Sequence, residues 1–165
     1  MQQTTAVRGG GLGSAFLSGG DVGFAAGIVI ILTVLFLPEP LGKAYDDMLR
    51  IEQHLKQLAR PGAVWGELYQ QCYDLACELG YQEHFMGSAG AQVSFIGHGI
   101  GVEVDEYPFI ARGFQEQVLE EFMTFAFEPK AVYPGLGAVG IENTFWVAPD
   151  GLKHLTFSPE ELAVL

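Results

Sequence analysis

The stretch Phe125–Val147 reads FAFEPKAVYPGLGAVGIENTFWV and decides the fold class of this chain. Its apolar and aromatic residues come in short runs separated by Pro-Gly and Gly-rich turns, a pattern typical of β-strands and hairpins. We therefore expect strands over Met123–Phe127 and Val139–Val147, and another strand over Val93–Ile96 on the N-terminal side.

The residues before these strands carry a helical pattern instead. Between Leu41 and Leu58 apolar side chains recur at every third or fourth position, and Pro61 with the following glycine ends the run. A second helix is expected from about Trp65 to Leu79, with Gly80 as the residue after its end. A helix pair followed by short strands predicts an α+β fold.

Two glutamates interrupt otherwise apolar strands, Glu128 in FAFEP and Glu142 in GIENTFWV. Strand alternation predicts that Glu128 points away from Phe125 and Phe127. An ionised carboxylate at the centre of a strand is costly to bury unless it is paired or binds a metal. Two interpretations stay open: an oxygen-rich site for Mn, Fe, Co or Zn that includes His98, or salt bridges to Lys130, Arg112 or Lys153.

The four histidines differ in their surroundings. His98 lies in FIGHGIG, where flanking glycines allow another group to approach the imidazole. Its role can be structural or catalytic on this pattern alone. We expect His54 and His154 to be solvated at the surface, and His84 lies in a loop with no assigned role.

A glycine pattern at residues 135–140 reads GLGAVG and matches the string G-x-G-x-x-G. A phosphate-binding version of this string follows a strand and opens a helix. Here the glycines lead into a strand-like run, so we expect a turn between strands and no nucleotide site.

The most apolar segment is Val22–Leu37, which reads VGFAAGIVIILTVLFL. It is shorter than the roughly 20 residues of a membrane helix, and its β-branched residues favour a buried strand. The segment also lacks the basic start and the cleavage site of a signal peptide. Residues 1–20 are Gly-rich and are expected to be a flexible terminus, so that the domain covers residues 21–165.

Composition narrows the classes of function. The 165 residues include 8 basic and 20 acidic ones, for a net charge of −12, which argues against nucleic acid or an anionic membrane as partner. Cys72 and Cys77 are too few for a disulfide framework and are expected to be small core residues. A reduced, cytoplasmic compartment follows as the expectation.

Three segments together resemble the pita-bread metallopeptidase family, which includes methionine aminopeptidase, Xaa-Pro aminopeptidase, prolidase and creatinase. They read GHGIGVEVDEYP (97–108), FAFEPKAVYPGLGAVGIENTFWV (125–147) and PDGLKHLTFSPEEL (149–162). The upstream segments KAYDDML, RPGAVWGELY and CELGY are similar to the Xaa-Pro peptidase branch. The resemblance covers about residues 38–165 and implies a pita-bread fold with a partial first half and a complete second half.

The resemblance also implies a site. The family holds two divalent metals through two aspartates, one histidine and two glutamates, and the last three match His98, Glu128 and Glu142. A metal-bound hydroxide attacks the peptide carbonyl, and the glutamate that matches Glu128 accepts its proton. Asp105 stands where many members have a second histidine that stabilises the reacting carbonyl. The implied substrate is a proline-containing peptide or dipeptide, and a homodimer is compatible with the family.

Several positions depart from the family pattern. Ile31 stands at the place of the metal-bridging aspartate, and Asp21 matches the first aspartate only with a one-residue gap. Val34 replaces an arginine, Phe122 a glycine and Asn143 an aspartate. An aliphatic side chain offers no lone pair, so we expect at most one tightly bound divalent metal.

Three hypotheses of function follow from these residues. The first is a metal-dependent Xaa-Pro aminopeptidase or dipeptidase. The second is a non-enzymatic or catalytically impaired family member that acts as a binding module. The third is a membrane-anchored protein that uses Val22–Leu37, which the resemblance disfavours because that run occupies a strand position.

Overall fold

The computed structural model describes residues 38–157 and 159–161 of the chain. The Gly-rich segment 1–20, Asp21 and the apolar run Val22–Leu37 lie outside the described residues, and so do Ile31 and Val34 within that run. The expectations for these positions therefore stay predictions, as does the domain boundary at residue 21.

Two helices open the described part of the chain, α1 (Glu39–Leu58) and α2 (Trp65–Glu78). Pro38 and Pro40 flank the start of α1, where a missing backbone N–H breaks no helical hydrogen bond. Gly80 follows α2 with a φ of +90°, in the left-handed region that glycine adopts at helix ends. Both predicted helices are confirmed. The buried side of α1 consists of Leu41, Ala44, Tyr45, Asp47, Met48, Ile51, Glu52 and Leu55.

Seven strands follow the helices. They are β1 (Phe95–Gly99), β2 (Glu106–Ala111), β3 (Thr124–Phe127), β4 (Lys130–Tyr133), β5 (Gly137–Gly140), β6 (Asn143–Ala148) and β7 (Gly151–His154). An antiparallel sheet has the strand order β2-β1-β3-β6-β7, and β4 pairs with β5 in a separate hairpin. The α+β prediction is confirmed.

Two strand predictions need correction. The run predicted as one strand over Val139–Val147 is two strands, because the chain leaves the β4–β5 hairpin at Gly140 and joins the sheet at Asn143. The strand predicted over Val93–Ile96 lies at Phe95–Gly99, since His98 and the glycines beside it pair with β2 and β3.

The sheet has two distinct faces. On the helix face, Phe125 pairs with Phe145 in register, and the Phe145 ring lies 6.0 Å from the Lys56 ammonium of α1. On the opposite face, which we call the inner face, His98 pairs with Ala126 and Ala126 pairs with Thr144. The core includes both phenylalanines and the buried side of α1.

None of the helices in the described part of the chain combines the length and the apolar content that crossing a membrane requires.

Candidate metal centre

His98 lies near the middle of the sheet, in β1, and is buried. Glycines are needed on both sides of it because the neighbouring strands approach closely. A Cβ atom on Gly99 would lie 2.2 Å from the backbone oxygen of Tyr107, and one on Gly97 would lie 2.7 Å from that of Ala126. The GHG sequence therefore allows the imidazole to lie between tightly packed strands.

Glu128 and Glu142 come from the ends of strands, and the expectation of strand-centre positions is corrected. Glu128 directly follows β3, and its amide donates to the Ile96 carbonyl at 2.9 Å. Glu142 lies between β5 and β6. Continuing the alternation from Ala126 and Thr144 assigns both carboxylates to the inner face, the face of His98.

The side-chain geometry brings these groups together. The Nε2 atom of His98 lies 3.9 Å from Oε1 of Glu128. Burial raises the pKa of Glu142, and the negative charge of nearby Glu128 raises it further, whereas Lys130 and His98 act in the opposite direction. Two acidic groups and one imidazole thus share a buried place, as a site for a cation requires.

Lys130 supplies positive charge at this place. Its ammonium contacts Oε2 of Glu128, so one of the salt bridges considered from the sequence is present. The other two bases are engaged elsewhere: the Arg112 guanidinium lies over the rings of Tyr69 and Tyr73, and Lys153 pairs with Asp150. A salt bridge and a metal site are therefore compatible at Glu128, because only one of its oxygens contacts Lys130.

Asp105 contacts His98 from the side away from Glu128. Its Oδ1 atom lies 3.0 Å from Nδ1 of His98, although the aspartate side chain is 66% exposed. The Gly99 carbonyl accepts a hydrogen bond from the same nitrogen at 3.2 Å, and together with the nearby carboxylate it stabilises the tautomer that carries the proton on Nδ1 and leaves the Nε2 lone pair facing Glu128. The Gly99 carbonyl thus orients the imidazole, and Asp105 places a negative charge beside the same nitrogen.

A buried hydroxyl without a partner lies on the same face. Thr144 is 1% exposed, and its Oγ1 atom has no hydrogen-bond partner among the described residues. An imidazole nitrogen, two carboxylates and a hydroxyl are donors that suit a divalent cation such as Mn, Co, Zn or Fe. The types of donor therefore suit such an ion at the inner face, although the ligand atoms that already lie within 4.8 Å of one another among the described residues are those of Glu52, His154 and Glu160.

A second polar cluster lies on the helix face and was missed from the sequence. Glu52 of α1, His154 of β7 and Glu160 offer ligand atoms within 4.8 Å of one another. The expectation that His154 is a solvated surface residue is wrong, because it is half-buried, packs on the Phe145 ring and has its Nε2 atom 2.6 Å from the Lys56 ammonium.

The charges of this second cluster are strongly perturbed. Burial raises the pKa of Glu52 to about 7, with Glu160 raising it further and Asn143 and Lys56 lowering it. Burial and the Lys56 charge lower the pKa of His154. The sequence did carry a signal for Glu52: it lies between Met48 and Leu55 at the spacing of the buried side of α1.

The remaining sequence predictions concern residues away from both clusters. The glycines at 135–140 form the β4–β5 hairpin, with Gly135 at a φ of +78°, which confirms the prediction of a turn between strands. His84 stacks on Tyr133, and Cys72 is fully buried, as expected for a small core residue.

Comparisons with known proteins agree on one family. The sequence model of metallopeptidase family M24 matches residues 20–149. An Xaa-Pro dipeptidase of Pyrococcus furiosus is 34% identical over 118 residues, and one of Lactobacillus delbrueckii subsp. lactis is 35% identical over 127 residues. These alignments cover 72% and 77% of this chain.

The fold comparison gives the same result. The crystal structure of the prolidase from Pyrococcus horikoshii OT3 superposes with a TM-score of 0.67 and 32% identity, over 76% of this chain and 34% of that one. The predicted pita-bread fold is thereby confirmed as part of the catalytic domain. The chain spans 32% of the length of each of the two dipeptidases.

Proposed function

Because the chain belongs to metallopeptidase family M24, we propose that His98, Glu128 and Glu142 bind one divalent cation, as part of an Xaa-Pro-type dipeptidase site within residues 21–165. The proposal rests on the pairing of His98 with Ala126 and of Ala126 with Thr144 across three neighbouring strands. Since Glu128 and Glu142 lie two residues from Ala126 and Thr144, this pairing assigns the imidazole and both glutamates to the inner face. The proposed substrate is a dipeptide that ends in proline, the class that the names of the similar dipeptidases state.

Each residue has a distinct part in the proposed reaction. A divalent cation, when bound, supplies a nucleophilic water near neutral pH and polarises the substrate carbonyl. Glu128 accepts the proton of the attacking water and passes it towards the leaving amine. The Gly99 carbonyl and the Asp105 carboxylate together hold the His98 proton on Nδ1, so that Nε2 stays free as a ligand atom. Glu142 must lose its proton to act as a ligand, so its raised pKa makes metal binding stronger as the pH rises.

We propose a single metal because Ile31 stands where the family pattern has its bridging aspartate. The second candidate function is a non-enzymatic family member that binds peptides or a partner protein. The Lys130 ammonium favours it, since it contacts Glu128 and neutralises this carboxylate without a metal. A homodimer and a cytoplasmic location stay predictions.

Calorimetric titration with Mn²⁺ tests the metal site. We expect about one equivalent to bind the wild-type chain, and binding to be lost in Glu142→Gln and His98→Ala. His154→Gln is the matched control, because it removes a ligand atom from the other cluster on the helix face. Two bound equivalents would contradict the single-metal proposal. Binding that survives Glu142→Gln and is lost in His154→Gln would place the ion on the helix face instead.

Hydrolysis of an Xaa-Pro dipeptide with added Mn²⁺ or Co²⁺ separates the two functions. An enzyme is expected to turn over the dipeptide and to lose that activity in Glu128→Gln. A chain that binds one Mn²⁺ at the inner face without any turnover would support the non-enzymatic alternative.

A further inference from the structure

Asn143 connects the candidate metal centre to helix α1. Its side chain is on the helix face, where the Nδ2 atom lies 3.1 and 3.0 Å from the two carboxylate oxygens of Glu52 and 3.1 Å from Oε1 of Glu160. Asn143 and Glu52 are each 1% exposed. Three carboxyl oxygens of two residues surround Nδ2, so an acceptor for the NH₂ group remains even when Glu52 is protonated, and the amide keeps this orientation.

Glu142 itself lies outside the strands, between β5 and β6. Just before it, the Ile141 amide reaches the Pro129 carbonyl at 3.3 Å, and just after it, the Thr144 amide donates to Oγ1 of Thr156 at 2.9 Å. Within residues 38–157 and 159–161, no backbone–backbone hydrogen bond involves Glu142 itself. Asn143 begins β6 and pairs with Phe127 of β3, so the sheet holds its backbone, and the hydrogen bonds of its side chain add a second restraint next to Glu142.

We propose that Glu52 is a positioning residue for the metal centre: by holding Asn143 on the helix face, it sets where Glu142 projects on the inner face. Consecutive strand residues point to opposite faces, so a fixed Asn143 side chain also fixes the direction of the residue before it. The proposal rests on the proposed function in one respect, namely that Glu142 is a metal ligand. Mutation of residues that orient ligands typically lowers metal affinity by roughly 10- to 100-fold.

The same cluster is less well suited to hold a metal of its own. A cation between Glu52, His154 and Glu160 would meet the Lys56 ammonium, whose Nζ atom is 2.6 Å from Nε2 of His154. It would also meet the amide hydrogens that Asn143 directs at both carboxylates. The Lys56 ammonium and the neutral Asn143 amide already donate to the atoms that would bind a cation, which favours a structural network over a second cation site.

Reversing the polarity of the Glu52–Asn143 hydrogen bonds tests the proposal. Asn143→Asp replaces the donor by a carboxylate that faces two others. Adding Glu52→Gln to it returns an NH₂ group to the pair from the other side. Glu52→Leu removes the acceptor without leaving a buried charge, so it tests the same contact if Asn143→Asp does not fold. Glu67→Gln, an exposed glutamate on α2, is the control.

Hydrogen exchange of the metal-free protein is the first readout. We expect the amides of Asn143 and Thr144 to exchange faster in Asn143→Asp and in Glu52→Leu, and to regain protection in the double variant. Exchange within α2 serves as the internal reference. Wild-type exchange rates at residues 143 and 144 in a folded Glu52→Leu protein would overturn the proposal.

Mn²⁺ affinity is the second readout, and the thermal midpoint is measured beside it. We expect the dissociation constant to rise about tenfold in Glu52→Leu, while the midpoint does not fall. Affinity that stays at the wild-type value, or that is lost in Glu52→Leu but kept in Glu142→Gln, would overturn the proposal. If the wild-type chain binds no Mn²⁺, the proposed function fails, and the exchange rates alone decide the positioning role.

Discussion

The free energy of unfolding of the protein is expected to fall as the pH rises because of Glu52. Its carboxyl group is buried between α1, Asn143 of β6 and Glu160. Burial raises its pKa to about 7 from an ordinary value of 4.5. The folded state therefore prefers the protonated form. Replacing Glu52 by Gln, which cannot ionise, should remove this dependence.

The sign and size follow from linkage between protonation and folding. A pKa that is higher in the folded state gives a stabilising contribution that is fully present below pH 4.5 and is lost as the pH rises through about 7. At about 1.4 kcal/mol per pKa unit, the change in the free energy of unfolding across this interval is about 3 kcal/mol. Lys56 and Asn143 lower the pKa and Glu160 raises it, so the value already includes the charged groups around Glu52.

Urea unfolding of the wild type and Glu52→Gln between about pH 4.5 and 8.5 measures this change. The free energy of unfolding of Glu52→Gln should gain about 3 kcal/mol relative to the wild type over that range. His154, whose pKa is lowered by burial, gives an opposite slope, but it is present in both proteins and largely cancels in their difference. A difference between the two proteins that stays constant with pH would refute the reasoning.

Two further predictions concern the inner face and the core. Asp105→Asn removes the carboxylate that lies 3.0 Å from Nδ1 of His98. Calorimetry should show that the Mn²⁺ affinity falls about tenfold while the free energy of unfolding stays the same. An unchanged affinity would exclude an orienting role for Asp105. Phe145→Ala empties a fully buried position whose ring lies 6.0 Å from that of Phe125. Urea unfolding should show a loss of about 3–5 kcal/mol, and a loss below about 1 kcal/mol would mean that the core refills the space.

Local patterns of the sequence were enough to predict the helices and the faces of the strands. The spacing of apolar residues in α1 and α2 reports burial directly, because one helix face packs on the sheet. The alternation in β3 likewise predicted that Glu128 points away from Phe125 and Phe127. The break between β5 and β6 was not predictable from alternation, because Ile141 and Glu142 continue the alternation of apolar and polar side chains while the chain changes its pairing partner.

The helix-face cluster could not be predicted because it joins distant parts of the chain. Glu52, Asn143 and Glu160 are brought together only when α1 packs on the β4–β5 hairpin and β7, beside the start of β6, and the residues after β7 return to the same place. His154 looked solvated because it follows a turn, yet β7 pairs with β6 and brings the imidazole onto the Phe145 ring. Contacts of this kind depend on tertiary packing and leave little trace in any local stretch.

Asn143 also explains why a buried glutamate is tolerated at position 52. The resemblance to the family pattern assigns an aspartate to position 143, and an aspartate there would put three carboxylates in one buried place. With Asn143, the same place has an NH₂ group that donates to Glu52 and Glu160, so the residues at 52 and 143 form a complementary donor and acceptor. Asn143→Asp alone leaves carboxyl groups facing each other, whereas adding Glu52→Gln restores a donor and an acceptor. A substitution at position 52 therefore changes two properties at once. It alters the stability above pH 7, and it alters the contact with Asn143 at the strand end that follows Glu142.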